Sequence, residues 1–155
     1  MPREPDHIAC WQRIGPHLTS SGRLTGADID SLAELGVTHV INLALGDSPG
    51  ALPDEAEHLA ARGIGYTHIP VPFDAPDAGH FSRFCAAMEA NEQASVHLHC
   101  VMNWRVSAFL YRWHRERLHM PAEEARALME RQWTPETNGN KDAPAWVRFI
   151  AGEAS

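Results

Sequence analysis

At 155 residues, with 44% hydrophobic and 21% charged side chains, the chain has the composition of a single soluble globular domain, expected over residues 1–155, and not of a disordered or fibrous protein. Its 13 Lys and Arg against 20 Asp and Glu leave a formal net charge of -7, which argues against nucleic acid or an anionic membrane as partner. No apolar run approaches a membrane span, the opening MPREPDHIAC lacks a signal-peptide core, and three cysteines at unrelated spacings make no disulfide framework; a cytoplasmic location is expected.

Helical and strand patterns alternate along nearly the whole chain. Residues 25–35 predict a helix, with Thr25 as cap, Asp28 in the first turn, and Ile29, Leu32 and Leu35 at helical spacing. Gly36 closes it. VTHVINLA (37–44) is apolar on both faces, as a buried parallel strand should be. Pro53 and the acidic residues after it mark the start of a second helix, which Gly63 and Gly65 end before the strand YTHIPV (66–71). A proline-rich loop follows. Phe81, Phe84, Cys85 and Met88 then recur at i, i+3, i+4, i+7 and place an amphipathic helix at 79–90. SVHLHC (95–100) is a third strand, and helices are expected at about 105–118, from Pro121, and around AWVRFI. A short edge strand near HLTS (17–20) would add to the sheet. This order predicts a three-layer α/β fold, with a mainly parallel central sheet of about four strands flanked by helices.

In such sheets, sites form beyond the carboxyl ends of strands, where loops meet helix N-termini. SVHLHC ends on Cys100, and the turn Val101, Met102, Asn103, Trp104 leads directly to Arg105 and a helix. A cysteine there faces unpaired N–H groups and the positive end of the helix dipole, which favour thiolate over thiol. Arg105 adds a fixed charge and a planar fork for an oxyanion. Asn103 suits a left-handed residue in an anion-cradling turn. Together they describe an anion pocket built around a nucleophile. Cys10 and Cys85 are expected to be packing residues. His97 and His99, with Cys100, mimic a metal cluster, but no second spaced pair completes it, so no metal and no cofactor are expected.

HCVMNWRVSAF resembles the signature loop of the cysteine-dependent protein tyrosine and dual-specificity phosphatases. INLALGDSPGALPDEAE, GIGYTHIPVPFDAP, HCVMNWRVSAFLYRWH and the late Trp133 and Trp146 are similar to a bacterial branch of that superfamily. The resemblance implies a protein tyrosine phosphatase-like fold and a phosphorylated protein or small molecule as substrate. It also implies Cys100 as nucleophile and Arg105 as phosphate binder, in a loop of Val101, Met102, Asn103 and Trp104. One departure stands out. Four residues separate Cys100 from Arg105, where the wider superfamily has five. That length matches rhodanese-like sulfurtransferases, so a Cys100 persulfide is an alternative, as is an inactive anion- or phosphoprotein-binding module.

Phosphoryl transfer also needs a proton for the leaving oxygen. The resemblance places this acid upstream of the cysteine, where Asp74 is the first choice and Asp77 the second. Ser107 is a candidate to hydrogen-bond the sulfur from the first helical turn, and His99 to buttress the loop. Met102 and Trp104 either line the pocket mouth or, for Trp104, plug the core beneath the loop.

Overall fold

The strand that leads to Cys100 is the most deeply enclosed, all four of its residues being buried. The computed structural model describes residues 4–48 and 50–152. Its strands are β1 (Gln12–Gly15), β2 (Leu18–Ser21), β3 (His39–Asn42), β4 (Gly65–His68) and β5 (Val96–His99). They form one sheet in the order β1-β2-β5-β3-β4, with β2, β5, β3 and β4 parallel and β1 antiparallel to β2. The helices are α1 (Gly26–Leu35), α2 (Glu55–Ala61), α3 (Ala78–Ala90), α4 (Trp104–Glu116), α5 (Ala122–Glu130) and α6 (Ala143–Ile150).

Strand alternation sorts the side chains into two layers of core. Val40 packs with Ile29, Leu32 and Leu59 of α1 and α2. Ile41 and Leu98 face the other way, into a larger cluster with Phe84, Phe109, Trp146 and Phe149 of α3, α4 and α6. The predicted three-layer α/β fold is therefore present. Helix ends follow local chemistry. Thr25 and Asp28 form a reciprocal capping box on α1, and Gly36 closes that helix at φ 100°.

The sheet differs from expectation at one end. It has five strands, and the HLTS segment is an inner strand, because β1 pairs outside it and takes the edge. QRIG carries no alternating pattern, since its first residue is polar yet buried: Gln12 donates to the Leu128 carbonyl at 3.0 Å and accepts from Gln132 at 2.8 Å. Pro53 also lies outside α2, which begins two residues later. Among the described residues no helix is long and apolar enough to cross a membrane.

Two buried histidines give the fold a pH dependence. Burial pushes His114 on α4 down to about 4, and His97 on β5 well below its ordinary value of 6.5. The unfolded chain takes up these protons near 6.5 while the folded chain does not, so stability is lost as pH falls from there toward about 4. Thermal melts across that window should show a falling midpoint, and His114→Gln should flatten the fall. An unchanged slope in that variant would show that other groups carry the effect.

Candidate active site

The turn between β5 and α4 is fixed by one asparagine. Asn103 sits at φ 64°, the left-handed conformation its residue type tolerates. Its side chain makes no cap on α4. Instead its Nδ2 donates to the Cys10 carbonyl at 2.9 Å and to Ser20 Oγ at 3.0 Å, while Oδ1 accepts from Ser107 Oγ at 3.2 Å. The first-turn N–H groups of α4 are thus left without a side-chain cap, facing the end of β5. Ser107, considered as a partner for the sulfur, has its hydroxyl engaged by Asn103.

A second set of polar groups supports the turn from beneath. His99 lies between two acceptors, with Nε2 at 2.7 Å from Glu55 Oε2 and Nδ1 at 3.3 Å from the Cys100 carbonyl. When protonated it donates to both and pairs as a cation with the buried Glu55. Asn42 donates to Tyr66 Oη at 3.1 Å, and Tyr66 is pushed up to about 12, chiefly by burial. Next along β5, His97 hydrogen-bonds Thr19 Oγ1 and Ser21 Oγ, each at 2.8 Å. Both histidines are thereby held as parts of the scaffold. Glu55 escaped the sequence reading because its partner lies 44 residues away; its one local signal, an acidic residue in a first helical turn, pointed to the helix dipole instead.

Arg105 is buried and turned inward, where its Nη1 donates to the Val71 carbonyl at 2.8 Å. Its guanidinium lies 5.8 Å from the Phe73 ring centroid. The Phe73 carbonyl in turn accepts from Trp146 Nε1 at 2.6 Å. Two side chains therefore pin the segment that runs into Asp74. Asp74 itself is exposed. Asp77 accepts from the His80 N–H at 2.8 Å and caps α3, which gives its carboxylate a structural partner. Trp104 stacks on Trp133 at 5.0 Å between centroids, within a cluster that includes Phe73 and Trp146. Met102, at the tip of the turn, is 48% exposed.

Cys100 is 1% exposed, yet it lines two adjoining cavities. The smaller, of about 180 Å³, is walled by Phe73, Met102, Trp104, Arg105 and Asn140. It brings the cysteine and the arginine to one space, and Trp104 both lines it and stacks into the aromatic cluster. The larger, of about 320 Å³, lies toward the loop before α2 and includes Arg23, Gly50, Glu55 and Tyr66. Cys10 is exposed, with φ 55°, contrary to its expected packing role. Its thiol is raised by the burial of its surroundings and by Cys100 nearby. Cys85 is buried as expected.

No family model matches the chain, and no curated protein matches it in sequence. Solved structures do. A candidate phosphatase (DUF442) from Shewanella putrefaciens CN-32 is 28% identical, with a TM-score of 0.79 over 96% of this chain and 92% of its own. Tk-PTP in its active form is 18% identical, with a TM-score of 0.74 over 97% and 99% of the two chains. TpbA of P. aeruginosa, in complex with phosphotyrosine, is 19% identical, with a TM-score of 0.68 over 97% and 95%. The fold is protein tyrosine phosphatase-like. Within this phosphatase-like fold, the turn after β5 is held close to β2 by Gly22. A Cβ there would lie 2.4 Å from the Val101 carbonyl oxygen, which is main chain and cannot swing away. Gly22→Ala is expected to cost about 1–3 kcal/mol through overpacking, read as a lowered denaturation midpoint; an unchanged midpoint would show that the turn relaxes freely.

Proposed function

We propose that the chain is a cysteine-dependent phosphomonoesterase acting through a phosphocysteine. The observation that carries this is Cys100 and Arg105 lining one cavity at the uncapped start of α4, beyond the central strand. The likeness of the whole fold to phosphatase structures supports it. In the first step Cys100 Sγ attacks phosphorus and the ester P–O bond breaks, while Asp74 gives its proton to the leaving oxygen. Main-chain N–H groups of residues 101–105 and the Arg105 guanidinium hold the three equatorial oxygens. In the second step water attacks the phosphocysteine, Asp74 takes up its proton, and inorganic phosphate leaves with the thiolate restored. Aryl phosphates suit the smaller cavity, whose wall is Phe73, Met102 and Trp104.

Turnover of p-nitrophenyl phosphate is the first test. Cys100→Ser should abolish it, and Arg105→Ala should lower kcat/KM by about 10²–10³-fold or more. Equal rates in the wild type and Cys100→Ser would end the proposal. The short loop also fits a sulfurtransferase, which would instead show a gain of one sulfur on Cys100 after thiosulfate treatment.

The acid is tested by leaving group. Asp74→Asn should slow phenyl phosphate by about 10²-fold and p-nitrophenyl phosphate much less, because p-nitrophenolate leaves without a proton. Trp146→Phe keeps the ring but removes the donor to the Phe73 carbonyl. It should show the same dependence on leaving group in weaker form. A uniform loss on both substrates would mean that Trp146 acts through stability alone.

A further inference from the structure

The larger cavity contains a cation that neither the fold nor the proposed chemistry uses. Arg23 follows β2 and is tied to the catalytic turn through its main chain, its N–H donating to the Val101 carbonyl at 3.0 Å. Its exposed side chain runs across Gly50 on the facing loop. Gly50 has φ 76°, and a Cβ there would come within 2.6 Å of Arg23 Cδ and 3.1 Å of Nη1. A residue without a side chain thus makes room for the arginine at the cavity wall. Arg23, Gly50, Cys100 and Val101 all line that cavity.

Among the described residues, Arg23 and Arg105 are the two cations that line a cavity containing Cys100. Arg13, Arg62, Arg112, Arg117 and Arg126 each pair with a carboxylate, and Arg105 is bound to the Val71 carbonyl. Among the described residues the Arg23 guanidinium has no such partner; Arg83, Arg131 and Arg148 share that lack, but they line neither cavity of Cys100. Glu55, on the same wall, is engaged by His99. Glu57 is the wall's exposed carboxylate and forms no ion pair with Arg23. Arg23 is also absent from the smaller cavity, where Arg105 lies with Cys100. A phosphoryl group held by Arg105 therefore leaves Arg23 free for a different anion. In a chain of net charge -7, a substrate carrying extra negative charge meets long-range repulsion, and a local cation at the site must overcome it.

We infer that Arg23 is a specificity-determining residue that binds a second anionic group, carboxylate or phosphate, on a phosphorylated peptide substrate whose phosphoryl group occupies the cavity of Cys100 and Arg105. The inference rests on the phosphatase reading for the phosphoryl position. It adds the substrate class: phosphopeptides with acidic residues beside the phosphorylated one. The planar guanidinium fork gives such a group two parallel N–H donors, which a lysine in its place could not.

The test uses two phosphotyrosine peptides of matched length, one flanked by glutamates and one by lysines. Their affinities are measured on the full chain carrying Cys100→Ser, so that binding is read without turnover. The glutamate peptide should bind about fivefold more tightly, the scale of a partly exposed charge pair, and the preference should shrink as salt is raised. Adding Arg23→Gln, which removes the charge without introducing an opposite one, should bring the ratio close to one while binding of the unflanked phosphotyrosine is unchanged. A ratio near one with Arg23 present, or a ratio that survives Arg23→Gln, overturns the inference. Turnover of p-nitrophenyl phosphate by the wild type is measured alongside. Its absence, with the peptide preference intact, would remove the phosphatase reading and leave Arg23 as part of a binding site.

Discussion

The candidate site depends on a single constraint, the left-handed turn at Asn103. A strand ending in a buried plane of the sheet must reverse within four residues to start α4. The positive φ that achieves this carries a conformational cost in any residue but glycine. Glycine would make the turn without strain, yet it could not make the three hydrogen bonds of the Asn103 side chain. Those bonds join the turn to β2 through Ser20, to the segment before β1 through Cys10, and to α4 through Ser107. The same side chain is thereby kept from capping α4, so the helix's first N–H groups stay available to an anion.

Beneath that turn the sheet is polar where a core strand would ordinarily be apolar. His97 and His99 point to the α1–α2 face, and each is met by a partner from another element: Thr19 and Ser21 of β2, and Glu55 of α2. Buried polar groups are costly unless satisfied, and once satisfied they specify one arrangement. The opposite face carries Val96 and Leu98 into the aromatic core. One strand thus anchors the site with hydrogen bonds on one side and with packing on the other.

Much of this was legible in the sequence for a local reason. Asn103 sits at a strand-to-helix junction, and junctions are readable because hydrophobic period and turn chemistry change together over a few residues. The Thr25–Asp28 box and Gly36 are legible in the same way. What escaped was long-range. Glu55 resembles any acidic residue at a helix start, and its meeting with His99 arises from the parallel order β5-β3 and the α2 crossover. The edge strand β1 escaped because Gln12 is buried by pairing with α5 and Gln132, which masks the alternation expected of a strand. Cys10 was misjudged as packing because its carbonyl, not its thiol, is what the fold uses.

The loop of four residues between Cys100 and Arg105 acquires a physical sense from these contacts. A shorter loop offers fewer inward N–H groups, so in the proposed site more of an anion's charge would fall to Arg105. That arginine is held by the Val71 carbonyl, at the root of the segment carrying Asp74. Trp146 holds the same segment two residues further on. In the proposed mechanism, anion binding and acid placement would therefore share one side chain. If the proposal holds, a shift of the guanidinium toward a phosphoryl group would be felt at Val71, while Trp146, fully buried among Phe109, Phe149 and Trp133, holds the far side of the segment. The short loop is matched by this coupling: on the proposed phosphatase reading, the cation assigned to the anion site would also help to set where the assigned proton donor stands.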